Sequence, residues 1–307
     1  KNSIYFLPVR VFQEYIICGV TNANNDEAIF FLENAQDYAK YIFLDVEKKY
    51  PWIECQDSKK LYMGNIEVLL KDIIHYEKII YIWPNSLTVE ACLRAITENG
   101  KILSLSKVAV IGIGNIGFKL SLRLVESGCK TSLVSKDYDQ TLYMANAINK
   151  IKPKSTIVSP IPFREIESCV NGQDYIVFCT DGKFKIDSFT ALNISPNTKI
   201  FSLSNLRLED DVENILNEKN ISLEIIDIAP FYYAELFKQK ICMETEKPLR
   251  IAYKNTFLVS GGYRAKPGDI IVNNAINPEI VLGKIKTDGQ FDREISLWED
   301  WEKHNFK

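Results

Sequence analysis

The chain has 307 residues, of which 46% are hydrophobic and 25% are charged, and its formal net charge is −3. This length is enough for two domains of ordinary size, and this composition is typical of a soluble globular protein. The weak net charge argues against a nucleic-acid surface, and the lack of long apolar or basic runs argues against a membrane protein. The first residues also lack the apolar core and cleavage site of a secretory signal.

The seven cysteines are scattered without a Cys-x-x-Cys pair, and there are only two histidines. This pattern argues against a zinc site built from closely spaced ligands, and cysteines in apolar runs behave as small hydrophobic residues. We therefore expect a reduced, cytoplasmic, metal-free protein. A symmetric homodimer is the commonest assembly for soluble proteins of this size.

The first hundred residues alternate between strand and helix patterns. Helical spacing at 26–38 and 65–76 lies among strand-like runs at 4–9, 15–20, 41–46 and 79–83. Pro84-Asn85-Ser86 predicts the N-terminal cap of a further helix, Leu87–Thr97. We therefore predict a smaller N-terminal α/β substrate domain over residues 1–100.

The segment 107–137 carries the strongest motif. A short β-branched run, Val108–Ile111, precedes three glycines in the G-x-G-x-x-G spacing, and a helical pattern and a second apolar run, Thr131–Val134, follow. In a dinucleotide-binding turn, Gly112 permits the sharp turn, Gly114 lets the backbone approach a pyrophosphate, and Gly117 lets the helix pack closely on the sheet. Asn115 and Ile116, which lie between them at the helix N-terminus, would face the phosphates.

The end of the second strand of a dinucleotide-binding fold discriminates between the two nicotinamide cofactors. An acidic residue there binds the ribose 2′-OH of NAD, whereas a cation accommodates the 2′-phosphate of NADP. Here Ser135 and Lys136 occupy that place and Asp137 follows them. This favours NADP, with NAD as the second choice if Asp137 is the ribose ligand and Lys136 a solvated loop residue.

The alternation continues to about residue 230. Strand-like runs at 156–159, 174–179, 199–203 and 221–228 would complete six parallel strands in a doubly wound sheet, the Rossmann fold. The last third is less regular, with an aromatic-rich helix at 231–242, strands at 255–260 and 269–273, and an amphipathic pattern at 292–304. We predict the dinucleotide-binding domain over 101–285 and a C-terminal helix within 286–307 that packs on the N-terminal domain.

This layout resembles the formate/glycerate dehydrogenase-like group, which includes D-2-hydroxyacid dehydrogenases, alanine dehydrogenases and S-adenosylhomocysteine hydrolases. The matching stretches are Leu87–Thr97 leading into KVAVIGIGNIG, QDYIVFCTDG at 173–182 and NTKIFSLSN at 197–205. The Ser135-Lys136 pair is also similar to the cofactor loop of shikimate dehydrogenase-like enzymes. The late histidine of the D-2-hydroxyacid dehydrogenases is missing, so the resemblance implies a fold and a nicotinamide cofactor and leaves the substrate open.

Ligands of an open α/β sheet bind at the carboxyl ends of its strands. Thr180, Asp181 and Gly182 are therefore expected near the nicotinamide ribose, and Ser204 and Asn205 near the nicotinamide. Asp227 follows the sixth strand, where it would hold the carboxamide or orient a proton donor. A capping role for Asp227 at the turn before Pro230 is the alternative.

Hydride transfer also needs a proton donor close to the acceptor. His75 and Lys71 could share one helix face, although nearby lysines would lower the pKa of His75, and Tyr232 and Tyr233 are further candidates. A packed or surface histidine remains the alternative for His75. Arg10 and Arg264 are the candidate carboxylate clamps, since arginine binds carboxylates with two parallel hydrogen bonds. A surface salt bridge, the commoner role of an arginine, is the alternative for both.

These patterns together predict an NADP(H)-dependent oxidoreductase acting on a small polar substrate, such as a keto acid, an amino acid or an imine, in the cleft between the domains. The alternatives are an NAD-retaining lyase or hydrolase of the adenosylhomocysteinase type, a tailoring reductase of a biosynthetic intermediate, and a non-catalytic dinucleotide-sensing protein.

Overall fold

The computed structural model describes residues 5–21, 25–47, 49–54, 61–65, 78–98, 100, 102–180, 184–204, 206–244, 250–260 and 265–292. The chain divides into two compact units, Lys1–Phe237 and Lys238–Lys307. This division differs from the predicted boundaries at 100 and 285. The first hundred residues belong to the same unit as the six-stranded sheet, whereas the strands after 250 form a separate sheet.

The described residues of the N-terminal part of the first unit form two hairpins, a parallel strand pair and two helices. β1 (Tyr5–Phe12) pairs with β2 (Tyr15–Thr21), and α1 (Asn25–Ala35) follows. β3 (Ile42–Asp45) pairs in parallel with β6 (Ile79–Ile82), and α2 (Pro84–Thr97) comes next. Between β3 and β6 in sequence, β4 (Lys49–Glu54) and β5 (Leu61–Asn65) form an antiparallel hairpin.

The strands predicted at 4–9, 15–20, 41–46 and 79–83 are confirmed within a few residues. The β4–β5 hairpin was not predicted from the sequence. The helix predicted over 65–76 is wrong at its first residue, because Asn65 ends β5, and the rest of that helix lies outside the described residues.

The cap of α2 does not come from the segment Pro84-Asn85-Ser86, as the sequence predicted. The helix already begins at Pro84, and its N-cap residue, Trp83, makes no side-chain hydrogen bond to it. Instead, the Asn85 N–H donates to Oε2 of Glu47 at 2.6 Å, and Oε1 of Glu47 lies 3.0 Å from the Lys119 ammonium. A carboxylate at a helix N-terminus is favourable because it meets unpaired N–H groups and the positive end of the helix dipole.

The six-stranded sheet is parallel throughout. Its members are β7 (Lys107–Ile111), β8 (Lys130–Val134), β9 (Ile161–Pro162), β10 (Tyr175–Phe178), β12 (Lys199–Ser202) and β14 (Ser222–Ile225). The strands lie in the order β9-β8-β7-β10-β12-β14. Numbered within the sheet, this is the 3-2-1-4-5-6 order of the Rossmann fold, which confirms the predicted doubly wound sheet.

Helices alternate with these strands along the chain. They are α3 (Asn115–Glu126), α4 (Tyr138–Ile151), α5 (Ile166–Val170), α6 (Ser188–Asn193), α7 (Val212–Glu218) and α8 (Ala229–Glu244). A short 3-10 helix, Leu103–Leu105, precedes β7, and β11 (Lys185–Ile186) and β13 (Arg207–Leu208) form a separate pair.

The central strands of the sheet are buried on both faces. Val108 and Val110 of β7 belong to one apolar cluster with Leu120 and Leu124 of α3. Ala109 and Ile111, which alternate with them, belong to a second cluster that contains Val212 of α7. Because successive side chains of a strand point to opposite faces, the two clusters are the cores of a doubly covered sheet.

The third strand of the sheet differs from its prediction at 156–159. The Val158 carbonyl accepts a hydrogen bond from the Lys152 ammonium, which also lies 3.0 Å from the Ser159 hydroxyl. Only Ile161 and Pro162 pair with β8. β9 is an edge strand, where a proline is tolerated because its missing N–H faces away from the sheet.

The second unit contains a regular sheet in the region that the sequence predicted to be less regular, and the strands predicted at 255–260 and 269–273 are confirmed there. Its strands, in sheet order, are β15 (Arg250–Tyr253), β16 (Thr256–Ser260), β17 (Ile270–Val272), β18 (Val281–Ile285) and β19 (Phe291–Asp292). Leu258, Ile270 and Val272 are in its core. The residues of the predicted C-terminal helix from 293 onward lie outside the described part of the chain.

Candidate functional site

The glycine turn between β7 and α3 has the geometry that the motif predicts. Gly112 has a φ of +92°, and a Cβ added there would lie 2.9 Å from the Cys179 carbonyl oxygen. A Cβ added to Gly117 would collide with the Gly112 carbonyl oxygen. A Cβ added to Gly114 would have nothing within 4 Å. Two glycines are therefore required by the protein itself, whereas Gly114 borders open space into which its backbone is exposed.

The N-terminus of α3 lies at this open side of the turn. Gly114 is its N-cap residue, so no side chain caps the helix, and the first intrahelical bond runs from the Phe118 N–H to the Gly114 carbonyl. The N–H groups of Asn115, Ile116 and Gly117 precede that bond and have no intrahelical acceptor. Unpaired N–H groups and the positive end of the helix dipole suit a phosphate, so the turn fits the pyrophosphate of a dinucleotide.

The end of β10 provides a polar group beside the turn. The Thr180 hydroxyl is buried and has no hydrogen-bond partner among the residues that the structure describes. Its methyl group would lie 3.1 Å from a Cβ on Gly112. The Ser204 hydroxyl donates to the Thr180 carbonyl at 3.3 Å. Because a buried hydroxyl without a partner is costly, Thr180 also fits a site that a ligand completes. Asp181, Gly182 and Asn205 lie outside the described residues.

Of the three polar residues that follow β8, Ser135 and Asp137 make local hydrogen bonds, and Lys136 is exposed. Asp137 is the N-cap of α4, and its Oδ1 accepts hydrogen bonds from the N–H groups of Asp139 and Gln140. The Ser135 hydroxyl lies 2.9 Å from the Asp137 carbonyl oxygen and 2.7 Å from the Thr141 hydroxyl. Lys136 is exposed.

A second cation lies beside the end of β8, which the sequence did not single out. The Phe163 N–H donates to the Leu133 carbonyl, so the next residue, Arg164, is placed close to the strand end. The guanidinium carbon of Arg164 lies 3.9 Å from the centre of the Tyr138 ring at the start of α4. This guanidinium–aromatic stacking fixes a positive charge near Lys136.

A cavity of about 150 Å³ lies beyond the carboxyl end of β14. Arg10 of β1 and Asp227 line it and form an ion pair at 3.0 Å, with both side chains about half exposed. The other oxygen of Asp227 accepts from the Ala229 N–H at the start of α8. Asp227 therefore has the capping role that the sequence offered as an alternative, and its predicted role toward a carboxamide or a proton donor stays a prediction.

Two tyrosines of α8, Tyr232 and Tyr233, also line this cavity. Burial, and secondarily the negative charge of Asp45, raise the pKa of Tyr232. Tyr232 therefore keeps its proton at neutral pH and can donate a hydrogen bond. Tyr233 is 9% exposed, and its hydroxyl has no hydrogen-bond partner within the described ranges. His75 and Lys71, the other predicted proton donors, lie outside them, as does Arg264.

Cys179 directly follows β10 beside the glycine turn, but it is unsuited to act as a nucleophile. Burial raises the pKa of its thiol well above the ordinary value, with a smaller contribution from Cys92. The reactive form of cysteine is the thiolate, so Cys179 acts as a packing residue.

Two further features are absent from the part of the chain that the structure describes. No helix there is both long and apolar enough to cross a bilayer. No group of three or more histidine, cysteine, aspartate or glutamate side chains there is arranged to hold a metal ion.

No protein-family model matches the sequence, and no curated protein matches it. Among solved structures, the chain is similar to a dipicolinate synthase component from Bacillus halodurans, with 12% identity and a TM-score of 0.39 over 67% of this chain and 79% of that chain. A dipicolinate synthase structure from Bacillus subtilis has 14% identity and a TM-score of 0.39 over 72% and 83% of the two chains.

Quinate dehydrogenase from Corynebacterium glutamicum, in complex with NAD, has 15% identity and a TM-score of 0.35 over 54% of this chain and 57% of that chain. The strand order and the glycine turn define the class of the protein: it is an α/β protein with a Rossmann sheet. The resemblance to the formate/glycerate dehydrogenase-like group stays a prediction.

Proposed function

We propose that the protein is an NADP(H)-dependent oxidoreductase that acts on a small polar substrate. The observation that carries this proposal is the open backbone at Gly114, which lies between two glycines that the fold itself requires and directly before the uncapped N-terminus of α3. Such a turn at the central strand of a 3-2-1-4-5-6 sheet suits a dinucleotide pyrophosphate. The buried, unpartnered hydroxyl of Thr180 next to it supports a ligand at the same edge.

The preference for NADP rests on the charges at the end of β8. Oδ1 of Asp137 accepts two N–H groups at the start of α4, and NAD is the second choice, with the other oxygen of Asp137 as the ligand of the ribose 2′-OH. Lys136 and Arg164 place two cations near that end, where a 2′-phosphate would lie. Arginine and lysine both bind phosphate, and the stacked arginine is already held in place.

The bound cofactor would supply or accept a hydride at its nicotinamide ring. Among the described residues, the Thr180 and Ser204 hydroxyls are polar groups that follow β10 and β12 on the side of that ring. The acceptor also requires a proton on its oxygen or nitrogen. Tyr232, whose pKa is raised, would orient the acceptor as a hydrogen-bond donor. Lys71 and His75 are the candidates for complete proton transfer.

The test of cofactor binding is a titration with NADPH and NADH, followed by fluorescence. Lys136→Glu replaces a cation beside the 2′-phosphate by an anion. We expect NADPH to bind at least about tenfold more weakly, because a hydrogen bond to a charged group contributes roughly 1.5–3 kcal/mol. A tenfold change in affinity corresponds to about 1.4 kcal/mol. The affinity for NADH should change less than about threefold, since NADH has no 2′-phosphate for residue 136 to contact.

Lys130→Glu is the matched control, because Lys130 is also exposed and lies at the opposite end of the same strand. It should leave both affinities unchanged. If Lys136→Glu retains its preference for NADPH, the proposed 2′-phosphate site is wrong. If the wild-type protein binds neither NADPH nor NADH, the proposed function itself is wrong.

A further inference from the structure

The ion pair between Arg10 and Asp227, at the rim of the cavity beyond β14, is too exposed to add much to the stability of the fold. Nearly half of each side chain, 47% for Arg10 and 48% for Asp227, is open to solvent. Ion pairs that are this exposed contribute little to stability. Both charges nevertheless border an apolar cavity whose walls include Leu7, Ile17 and Ile228.

Each partner of this pair retains capacity for a ligand. One terminal nitrogen of Arg10 contacts Asp227, and a guanidinium has further N–H donors in a planar fork. Asp227 uses one oxygen for Arg10 and the other for the Ala229 N–H, and each carboxylate oxygen can accept a second hydrogen bond. The Ala229 N–H and Arg10 hold the carboxylate in place before any ligand arrives.

The charge pattern discriminates among ligand classes. A plain carboxylate would be attracted by Arg10 but repelled by Asp227 beside it, and a plain amine would meet the reverse. A zwitterion satisfies both charges at once. The apolar walls suit a hydrocarbon side chain, and a cavity of about 150 Å³ is known to hold a group as large as benzene.

We propose that this cavity binds an α-amino acid, free or as the end of a larger molecule, with an apolar side chain. Arg10 receives its carboxylate, Asp227 receives its ammonium group, and the side chain lies against Leu7, Ile17 and Ile228. The Tyr233 hydroxyl, which is buried at the cavity wall without a partner in the described part of the chain, is a further donor to the carboxylate.

The cavity lies at the same edge of the sheet as the glycine turn. Asp227, Ser204 and Thr180 follow β14, β12 and β10, which are neighbours in the sheet. Neighbouring strands lie about 4.8 Å apart, so the cavity lies roughly 10 Å from the end of β10 along the same edge. The identification of the amino acid as part of the substrate rests on the proposed oxidoreductase function, whereas the binding site itself does not.

Three probes of the same hydrocarbon shape test the charge requirement: L-leucine, 4-methylpentanoate, which lacks the ammonium group, and 3-methylbutylamine, which lacks the carboxylate. Binding is measured on the full chain by calorimetry or ligand-observed NMR, with and without NADPH. We expect L-leucine to bind at least tenfold more tightly than either analogue. Equal binding of L-leucine and one of the analogues would overturn the proposal.

The variants Arg10→Gln, Asp227→Asn and Tyr233→Phe test the residues. Asparagine still caps a helix, and phenylalanine keeps the ring packing with Phe12, so these changes preserve the local structure. Arg10→Gln and Asp227→Asn should each weaken L-leucine binding at least tenfold, and Tyr233→Phe at least threefold. Unchanged affinity in any one of them contradicts the assignment.

Arg94→Gln is the control, because it removes the same type of side chain from an exposed ion pair of α2. NADPH affinity, measured on the same samples, separates the two hypotheses. Intact NADPH binding without discrimination among the probes refutes the amino-acid site alone. Absent NADPH binding with the expected discrimination refutes the oxidoreductase function and leaves the amino-acid site.

Discussion

The substitution Gly114→Ala separates the role of the glycine turn in folding from its role in binding. An alanine is compatible with the backbone of Gly114, whose φ is −82° and ψ −160°. Its Cβ would have no protein atom within 4 Å, so no clash opposes it. Glycine to alanine at a compatible position stabilises by about 0.4–1 kcal/mol, and alanine is a poorer N-cap by a similar amount. The free energy of unfolding should therefore change by less than about 1 kcal/mol.

The same Cβ would occupy the space through which a pyrophosphate approaches the N–H groups of α3. Losing one or two hydrogen bonds to a charged ligand costs about 1.5–3 kcal/mol each, so cofactor affinity should fall at least about tenfold. The assay is a thermal melt of the free protein, with an expected shift within about 3 °C, together with a fluorescence titration with NADPH.

Gly117→Ala is the contrasting variant, because its Cβ meets the Gly112 carbonyl oxygen. Backbone atoms in a tight turn cannot move aside as a side-chain tip can, so this variant should lose stability before any question of binding arises. The reasoning is refuted if Gly114→Ala binds NADPH as tightly as the wild type, or if it melts as early as Gly117→Ala.

Two further predictions concern cysteine reactivity and acid stability. Burial raises the pKa of Cys92 and of Cys169 to about 12, so at pH 8 only about one thiol in ten thousand is a thiolate. After brief iodoacetamide treatment, peptide mapping should show that the exposed Cys18 is alkylated and that Cys92 and Cys169 are not modified until urea is added. Equal labelling of all three cysteines in the native protein would contradict the burial of Cys92 and Cys169. In the second unit, the hydrogen bonds from Arg250 lower the pKa of Asp269, although its burial opposes this shift. Because the folded pKa is below the unfolded value, this carboxylate stabilises the protein above about pH 4 and less as the pH falls further. The difference in unfolding free energy between the wild type and Asp269→Asn should therefore be about 2 kcal/mol at pH 7 and shrink below pH 4, as measured by urea unfolding; a constant difference would refute this linkage.

The sequence predicted the centre of the fold well because its signals there are local. Val108–Ile111, the three glycines and the apolar period of α3 lie within one short segment, and each fits the same strand–turn–helix unit. The third strand was predicted at 156–159, where the residues favour a strand. In the structure the Val158 carbonyl accepts a hydrogen bond from the Lys152 side chain and not from a neighbouring strand. In the second unit, the sequence predicted β16 and β17 but not β15, β18 and β19, since such short strands gain stability mainly by pairing with one another.

The amino-acid sequence by itself determined the parallel sheet, the glycine turn and the cation after the second strand, because these depend on residues close together in the chain. Only the tertiary structure decided what distant residues do to each other. It assigned the cap of α2 to Glu47, stacked Arg164 on the ring of Tyr138, and brought Arg10 to Asp227 at an apolar cavity. Such contacts depend on how strands and helices pack against each other, so the spacing of residues along the sequence does not predict them.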